Sequence, residues 1–77
     1  MLERVKEIIE EQLNLENAEI TTETKFKEDL GVDSLDLFEL VMAFEEEYNV
    51  EIPSEELEKL VSVGDVIQYM KNQGVNA

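Results

Sequence analysis

Leu2, Val5, Ile9 and Leu13 recur at steps of three and four, with Ile8 beside them, while Glu3, Glu7, Glu10 and Glu11 fill the remaining positions. That spacing gathers the apolar residues on one side of a helix of 3.6 residues per turn, so the first element is an amphipathic helix ending near Asn14. From Leu15 to Val32 the periodicity lapses. Thr21, Thr22, Thr24 and Gly31 supply loop chemistry there, and Ile20, Phe26 and Leu30 are spaced as isolated anchors onto a core. Long connections without regular structure are uncommon in compact domains and are often functional, so what this one leads into matters. It leads into Asp33 and Ser34.

A second helix is expected from that pair to Tyr48 or Asn49, because either residue can cap an N-terminus and Asp36 then lies in a first turn that favours negative charge. Pro53 closes the next connection, and Ser54 is suited to cap a short helical turn carrying Leu57 and Leu60. Ser62 followed by Asp65 resembles a capping box that opens a last helix with Val63, Val66, Ile67 and Met70 inward, and Gly74 is a suitable terminator. No segment alternates long enough for a half-buried strand; Val50 to Ile52 is too short. The expected fold is all-α, a small four-helix bundle of three longer helices and one short one, with a long loop between helices 1 and 2.

On a wheel at about 100° per residue, the second helix carries two apolar stripes rather than one. Leu37, Leu40, Val41, Phe44 and Tyr48 form a core stripe. Leu35, Phe38 and Met42 form a separate sector framed by Glu45 on one side and by Glu39 and Glu46 on the other. In so small a bundle the second stripe either belongs to a wide core-facing helix or is exposed, and an exposed apolar strip rimmed by charge marks a protein-interaction surface.

Charge bears on that choice. Twenty acidic residues against six basic ones give a net charge of -14, which repels nucleic-acid backbones and anionic lipid headgroups and favours basic proteins. Twelve of the acids (Glu28, Asp29, Asp33, Asp36, Glu39, Glu45, Glu46, Glu47, Glu51, Glu55, Glu56 and Glu58) lie between Lys27 and Lys59, where no basic residue occurs. Such crowding is self-repulsive, and a charge run kept for solubility does not by itself explain an apolar strip inside the acid. With 77 residues the chain is read as one domain, residues 1–77, too small for a large enclosed active site. No segment reaches the ~20 apolar residues needed to span a bilayer, and no secretory signal pattern is present, so a cytoplasmic protein is expected.

Cysteine and histidine are absent, which removes disulfides, thiolate nucleophiles, imidazole acid/base chemistry and the usual zinc ligands. The acids also lack the spacing and central glycine of a helix-loop-helix calcium site, so no metal ligand set is expected. Ser34 therefore has no histidine to activate it, and none of the five lysines is near it in sequence, so it is not a convincing nucleophile of its own. A serine at a helix start is most often a cap. Its other reading is as a substrate: an exposed primary hydroxyl at a loop-to-helix junction is reachable by a modifying enzyme, and the helix N-terminus favours a phosphate added there.

The run LGVDSLDLFELVMAFEEEYNVEIP, Leu30 to Pro53, resembles the signature region of acyl carrier proteins, and the likeness continues in register from ERVKEIIEEQL at Glu3 to VIQYM at Met70. The resemblance implies a non-catalytic four-helix bundle whose serine, here Ser34, receives 4'-phosphopantetheine from coenzyme A through a phosphodiester. A carrier-protein synthase performs that transfer, and the arm's thiol then holds growing acyl chains as thioesters for fatty acid biosynthesis enzymes. Asp33, Leu35 and Asp36 are the matched neighbours of the serine. The implied partner contacts fall on Leu35, Phe38, Glu39, Met42, Glu45 and Glu46, with Glu51 nearby, which are the strip and rim of the wheel. Enzymes with basic docking patches would meet these carboxylates in fast, weak, salt-sensitive encounters between monomers of the carrier and its partners.

The resemblance further implies an acyl pocket near Phe44, Ile52, Leu57, Leu60, Val66 and Tyr69, each of which is first of all a core residue. Leu57 stands where such carriers often have a smaller side chain, which implies a restricted pocket. Phe38 makes the contact strip bulkier than usual, and Gly64 is expected to loosen the start of the last helix. Two other readings remain: a carrier for a specialised, polyketide-type pathway, and an acidic interaction adapter without a prosthetic group, in which Ser34 is only a cap.

Overall fold

The computed structural model describes residues 2–15 and 19–75; the part of the long loop at 16–18 lies outside them. Helix α1, Leu2–Leu13, buries Val5, Ile8 and Ile9 and half-buries Leu2 and Leu13, the stripe that its spacing predicts. It stops at Asn14, whose φ of 55° is left-handed, a conformation that asparagine tolerates because its short polar side chain bonds locally. Helix α2, Ser34–Tyr48, stops in the same manner at Asn49, with φ 54° and ψ 51°. The N–H groups of Asn49 and Val50 then both donate to the Glu45 carbonyl. α2 buries Leu37, Leu40, Val41 and Phe44, while Tyr48, at the end of the same stripe, is half-buried.

A 3-10 helix, Ser54–Lys59, follows Pro53, and here the expected cap is corrected. Ser54 lies inside the helix and Pro53 holds the cap position without any side-chain bond. In the tighter 3-10 pattern the Pro53 carbonyl already accepts from Glu56 N–H at 2.9 Å, so the helix begins one residue earlier than a serine cap would require. Helix α3, Val63–Asn72, opens with the predicted capping box. Ser62 Oγ accepts from Asp65 N–H at 3.3 Å, and Asp65 Oδ2 accepts from Ser62 N–H at 3.1 Å. Val63, Val66, Ile67 and Met70 are buried, and Gly74 takes φ 93° just past the end. Among the described residues there is no strand, and no helix is long and apolar enough to cross a membrane. The architecture is the expected small helical bundle.

The long loop bonds within itself, as from Val32 N–H to Phe26 O at 2.9 Å, and is also fixed to the start of α3. Ile20, Phe26 and Val32 are buried and Leu30 is half-buried, so the anchors do enter the core. Burial of a side chain the size of Phe26 is worth about 1.5–3 kcal/mol. Three backbone bonds run alongside: Phe26 N–H to Val61 O at 3.0 Å, Val63 N–H to Thr24 O at 2.9 Å, and Gly64 N–H to Thr22 O at 2.8 Å. Two of these satisfy first-turn N–H groups of α3 that have no partner inside their own helix. An isolated antiparallel bridge pairs Lys25 with Ser62.

Gly64 therefore does the opposite of loosening this junction. A Cβ at this position would lie 2.8 Å from the Thr22 carbonyl oxygen and 3.3 Å from the Thr22 Cβ. Only glycine lets the loop backbone approach so closely.

Candidate functional site

The stitched loop delivers the chain to α2 with Asp33 extended at φ -89° and ψ -177°, the backbone of an N-cap. Asp33 Oδ1 accepts from Asp36 N–H at 2.8 Å, and the Asp33 carbonyl accepts from Leu37 N–H at 2.9 Å. The cap is thus Asp33. Ser34 is the first helical residue, exposed, and its hydroxyl makes no hydrogen bond among the described residues. The backbone N–H groups of Ser34 and Leu35, at the positive end of the helix, likewise have no partner among them.

The second stripe of α2 faces outward. Leu35 is 67% exposed, Phe38 45% and Met42 48%, so the wide core-facing helix is excluded. Glu39 and Glu46 beside them are exposed and take no ion pair among the described residues. Glu39, Met42 and Glu46, with Gln12 and Ala43, also border an open depression toward α1. Glu45 differs from its neighbours: it is half-buried, and its Oε2 accepts from Ile52 N–H at 3.0 Å, so it latches the connection after α2. Glu51 is exposed, and its carbonyl accepts from the Tyr69 hydroxyl at 3.4 Å. Asp33 is exposed and Asp36 half-buried. Burial raises the Tyr69 phenol above its ordinary value, and the surrounding Glu56, Glu45, Glu51 and Glu55 raise it further.

Of the residues named for an acyl pocket, Phe44 and Val66 are fully enclosed, Ile52 and Leu60 are buried, and Leu57 and Tyr69 are half-buried. Two clefts open near Ser34 between the loop and the 3-10 helix. One, of about 80 Å³, is lined by Lys27, Ser34, Leu37, Leu57 and Glu58. The other, of about 150 Å³, is bordered by Phe26, Lys27, Leu37, Leu57, Leu60 and Val61, among others. Leu57 borders both. The sequence did not single out Lys27, which lies in an aperiodic loop, or Val61, which is 51% exposed beside the buried Leu60. Leu37 was assigned to the core stripe, where it is indeed buried, and its edge toward the clefts has no periodic signature.

Residues 3–70 match the family model described as a phosphopantetheine attachment site. The chain is 57% identical over 67 residues to a Wolinella succinogenes protein named acyl carrier protein, covering 87% of this chain and 88% of that one. It is 54% identical over 71 residues to a Clostridium acetobutylicum protein of the same name, with 92% of each covered. A solved Mycobacterium tuberculosis structure, named as a candidate acyl carrier protein, superposes with a TM-score of 0.84 at 30% identity, covering 92% of this chain and 95% of that chain.

Proposed function

The chain belongs to the acyl carrier protein family, non-catalytic carriers with a covalently attached 4'-phosphopantetheine, and from that premise we propose that Ser34 is the attachment residue and that the cargo is the growing acyl chain of fatty acid biosynthesis. One observation carries the assignment: Asp33, not Ser34, caps α2, so the Ser34 hydroxyl is exposed and uncommitted. The residues present fit the group. A phosphate on Ser34 meets the unpartnered N–H groups of the first turn, the arrangement in which helix N-termini accept anions. When bound, the group supplies a terminal thiol that holds an acyl chain as a thioester.

The remaining work falls to the chain's own surface. Leu35, Phe38 and Met42 form the apolar contact for partner enzymes, and Asp33, Asp36, Glu39, Glu46 and Glu51 supply the carboxylates that meet their basic patches. Glu45 serves both this face and the Ile52 latch. The carrier-protein synthase uses the same corner, since Ser34 and Leu35 are adjacent. An acyl chain that withdraws into the bundle gains about 0.8 kcal/mol per buried CH2, but it must part the packing around Phe44, Ile52, Leu60 and Val66. Leu57, which borders both clefts, and Tyr69 stand nearer the surface, and the bulk of Leu57 restricts entry. A cytoplasmic place of work suits the surface charge of -14, which keeps a shuttling protein monomeric and soluble.

The test is intact mass after incubation with coenzyme A, magnesium and a carrier-protein synthase, followed by peptide mapping. One phosphopantetheine on the peptide containing Ser34 is expected, and the loaded protein is then expected to support chain elongation with purified fatty acid enzymes. An unmodified mass, or a modification elsewhere, would refute the attachment residue. Loading without elongation would point to a specialised pathway.

A further inference from the structure

We propose that Lys27 holds the phosphodiester at the root of the prosthetic arm and so fixes the direction in which the arm leaves Ser34. This rests on Ser34 as the attachment residue. Lys27 and Ser34 line the same cleft of about 80 Å³, and Lys27 is its only basic residue. The phosphodiester brings a permanent negative charge into acidic surroundings: Glu58 lines the same cleft and Asp33 and Asp36 flank the serine. Beside the open N–H groups of the first turn, Lys27 is the one cationic side chain among the described residues of the cleft that offsets it.

Of the other cations, Lys25 pairs with Glu28 at 3.3 Å, Lys59 with Glu56 at 3.6 Å, and Arg4 with both Glu7 and Glu47, while Lys6 on α1 and Lys71 on α3 do not line the cleft. Lys27 takes no ion pair among the described residues, in a chain with twenty acids for six bases. Its backbone is well placed, because the preceding Phe26 is fully buried and donates its N–H to Val61 O. With the phosphodiester drawn to Lys27, the arm starts across Leu37 and Leu57, the apolar part of the cleft.

The experiment compares loaded wild type with loaded Lys27→Gln, Lys27→Arg and Lys25→Gln by 31P NMR across a sodium chloride titration. Mass spectrometry first confirms one group on each, so a wild type that fails to load removes the Ser34 assignment, and this proposal with it, before any spectrum is taken. In wild type and Lys27→Arg the phosphodiester resonance is expected to move with salt toward the position it already holds in Lys27→Gln, which should be insensitive to salt. Lys25→Gln should behave as wild type. A loaded Lys27→Gln with the resonance and salt response of wild type would overturn the proposal. So would a Lys25→Gln that matches Lys27→Gln, since the effect would then be one of overall charge.

Discussion

Two helices in this chain start with an acid and a serine close together, and they use them in opposite ways. At α3, Ser62 is the cap, bonded reciprocally with Asp65, and the next two N–H groups are taken by the Thr24 and Thr22 carbonyls of the long loop. That start is closed. At α2 the acid comes first: Asp33 caps and Ser34 falls inside the helix, with its hydroxyl and the N–H groups of Ser34 and Leu35 left open. A shift of one residue in cap register separates a serine that stabilises a helix from one that is available for chemistry. The loop joins the two, because the backbone that closes α3 is the same backbone that presents α2.

The sharpest way to break this contrast is to remove each serine in turn. Ser34→Ala is expected to abolish loading by the carrier-protein synthase while changing stability by less than about 0.5 kcal/mol, as befits an exposed, unbonded hydroxyl. Ser62→Ala is expected to load fully and to lose about 1 kcal/mol through the lost cap. Intact mass and urea denaturation read the two effects. If Ser34→Ala proves the more destabilising, Ser34 takes part in the cap after all.

A moderate effect is expected where the closed start depends on close approach. In Gly64→Ala the new Cβ would lie 2.8 Å from Thr22 O, forcing the loop away from α3. Overpacking of this kind costs about 1–3 kcal/mol, reduced by the better helix propensity of alanine. Each kcal/mol lowers the melting temperature of a domain this size by about 4–8 °C, so calorimetry would show it. A melting temperature equal to or above that of wild type would mean that the loop is not held where the bonds place it.

The smallest effects concern the far ends of the two helices, which are tied by groups that titrate on opposite sides of neutrality. α2 is tied to α1 by Arg4, which bonds Glu47 at 2.7 Å and holds that carboxyl below its ordinary value of 4.5. The folded state therefore binds fewer protons, and this stabilisation is present above pH 4.5 and lost as pH falls through the depressed value. α3 is tied by the Tyr69 hydroxyl on Glu51 O, with the phenol raised above its ordinary value of 10.0 by burial first and the nearby glutamates after it. That contribution is present below pH 10 and lost as pH rises through the raised value. The stability difference between wild type and Arg4→Met should shrink in acid, and that between wild type and Tyr69→Phe in alkali. Differences that do not vary with pH would remove these groups from the account. The Arg4–Glu47 pair is open to solvent and the Tyr69 bond is long at 3.4 Å, so both effects are expected to be small.

Much of the candidate site was legible because it follows from spacing. The Leu35, Phe38 and Met42 stripe is a property of the α2 wheel, and its acid rim is visible in the run of glutamates. What the wheel left open was whether that stripe faced another helix, which depends on where α1 and the 3-10 helix come to lie. Glu45 shows the same limit: its place on the rim is periodic, but its bond to Ile52 N–H depends on the path of the chain after Asn49. The Ser54 cap failed because a serine before a short helix does not reveal whether the turn closes as a 3-10 or an α pattern.

Helix stripes, the Ser62–Asp65 capping box, the two asparagine stops and the signature around Ser34 were determined by the order of residues alone, since each depends on neighbours within four or five positions. Tertiary structure alone decided that Lys27 and Leu57 share a cleft with Ser34, that Gly64 lies against Thr22, and that Val61 stays exposed. Leu57 and Ser34, and Gly64 and Thr22, lie on segments far apart in the chain, and Lys27 and Ser34 are separated by aperiodic loop. These relations are set by the backbone bonds that fold an aperiodic loop onto α3, and a pattern read along one dimension carries no record of them.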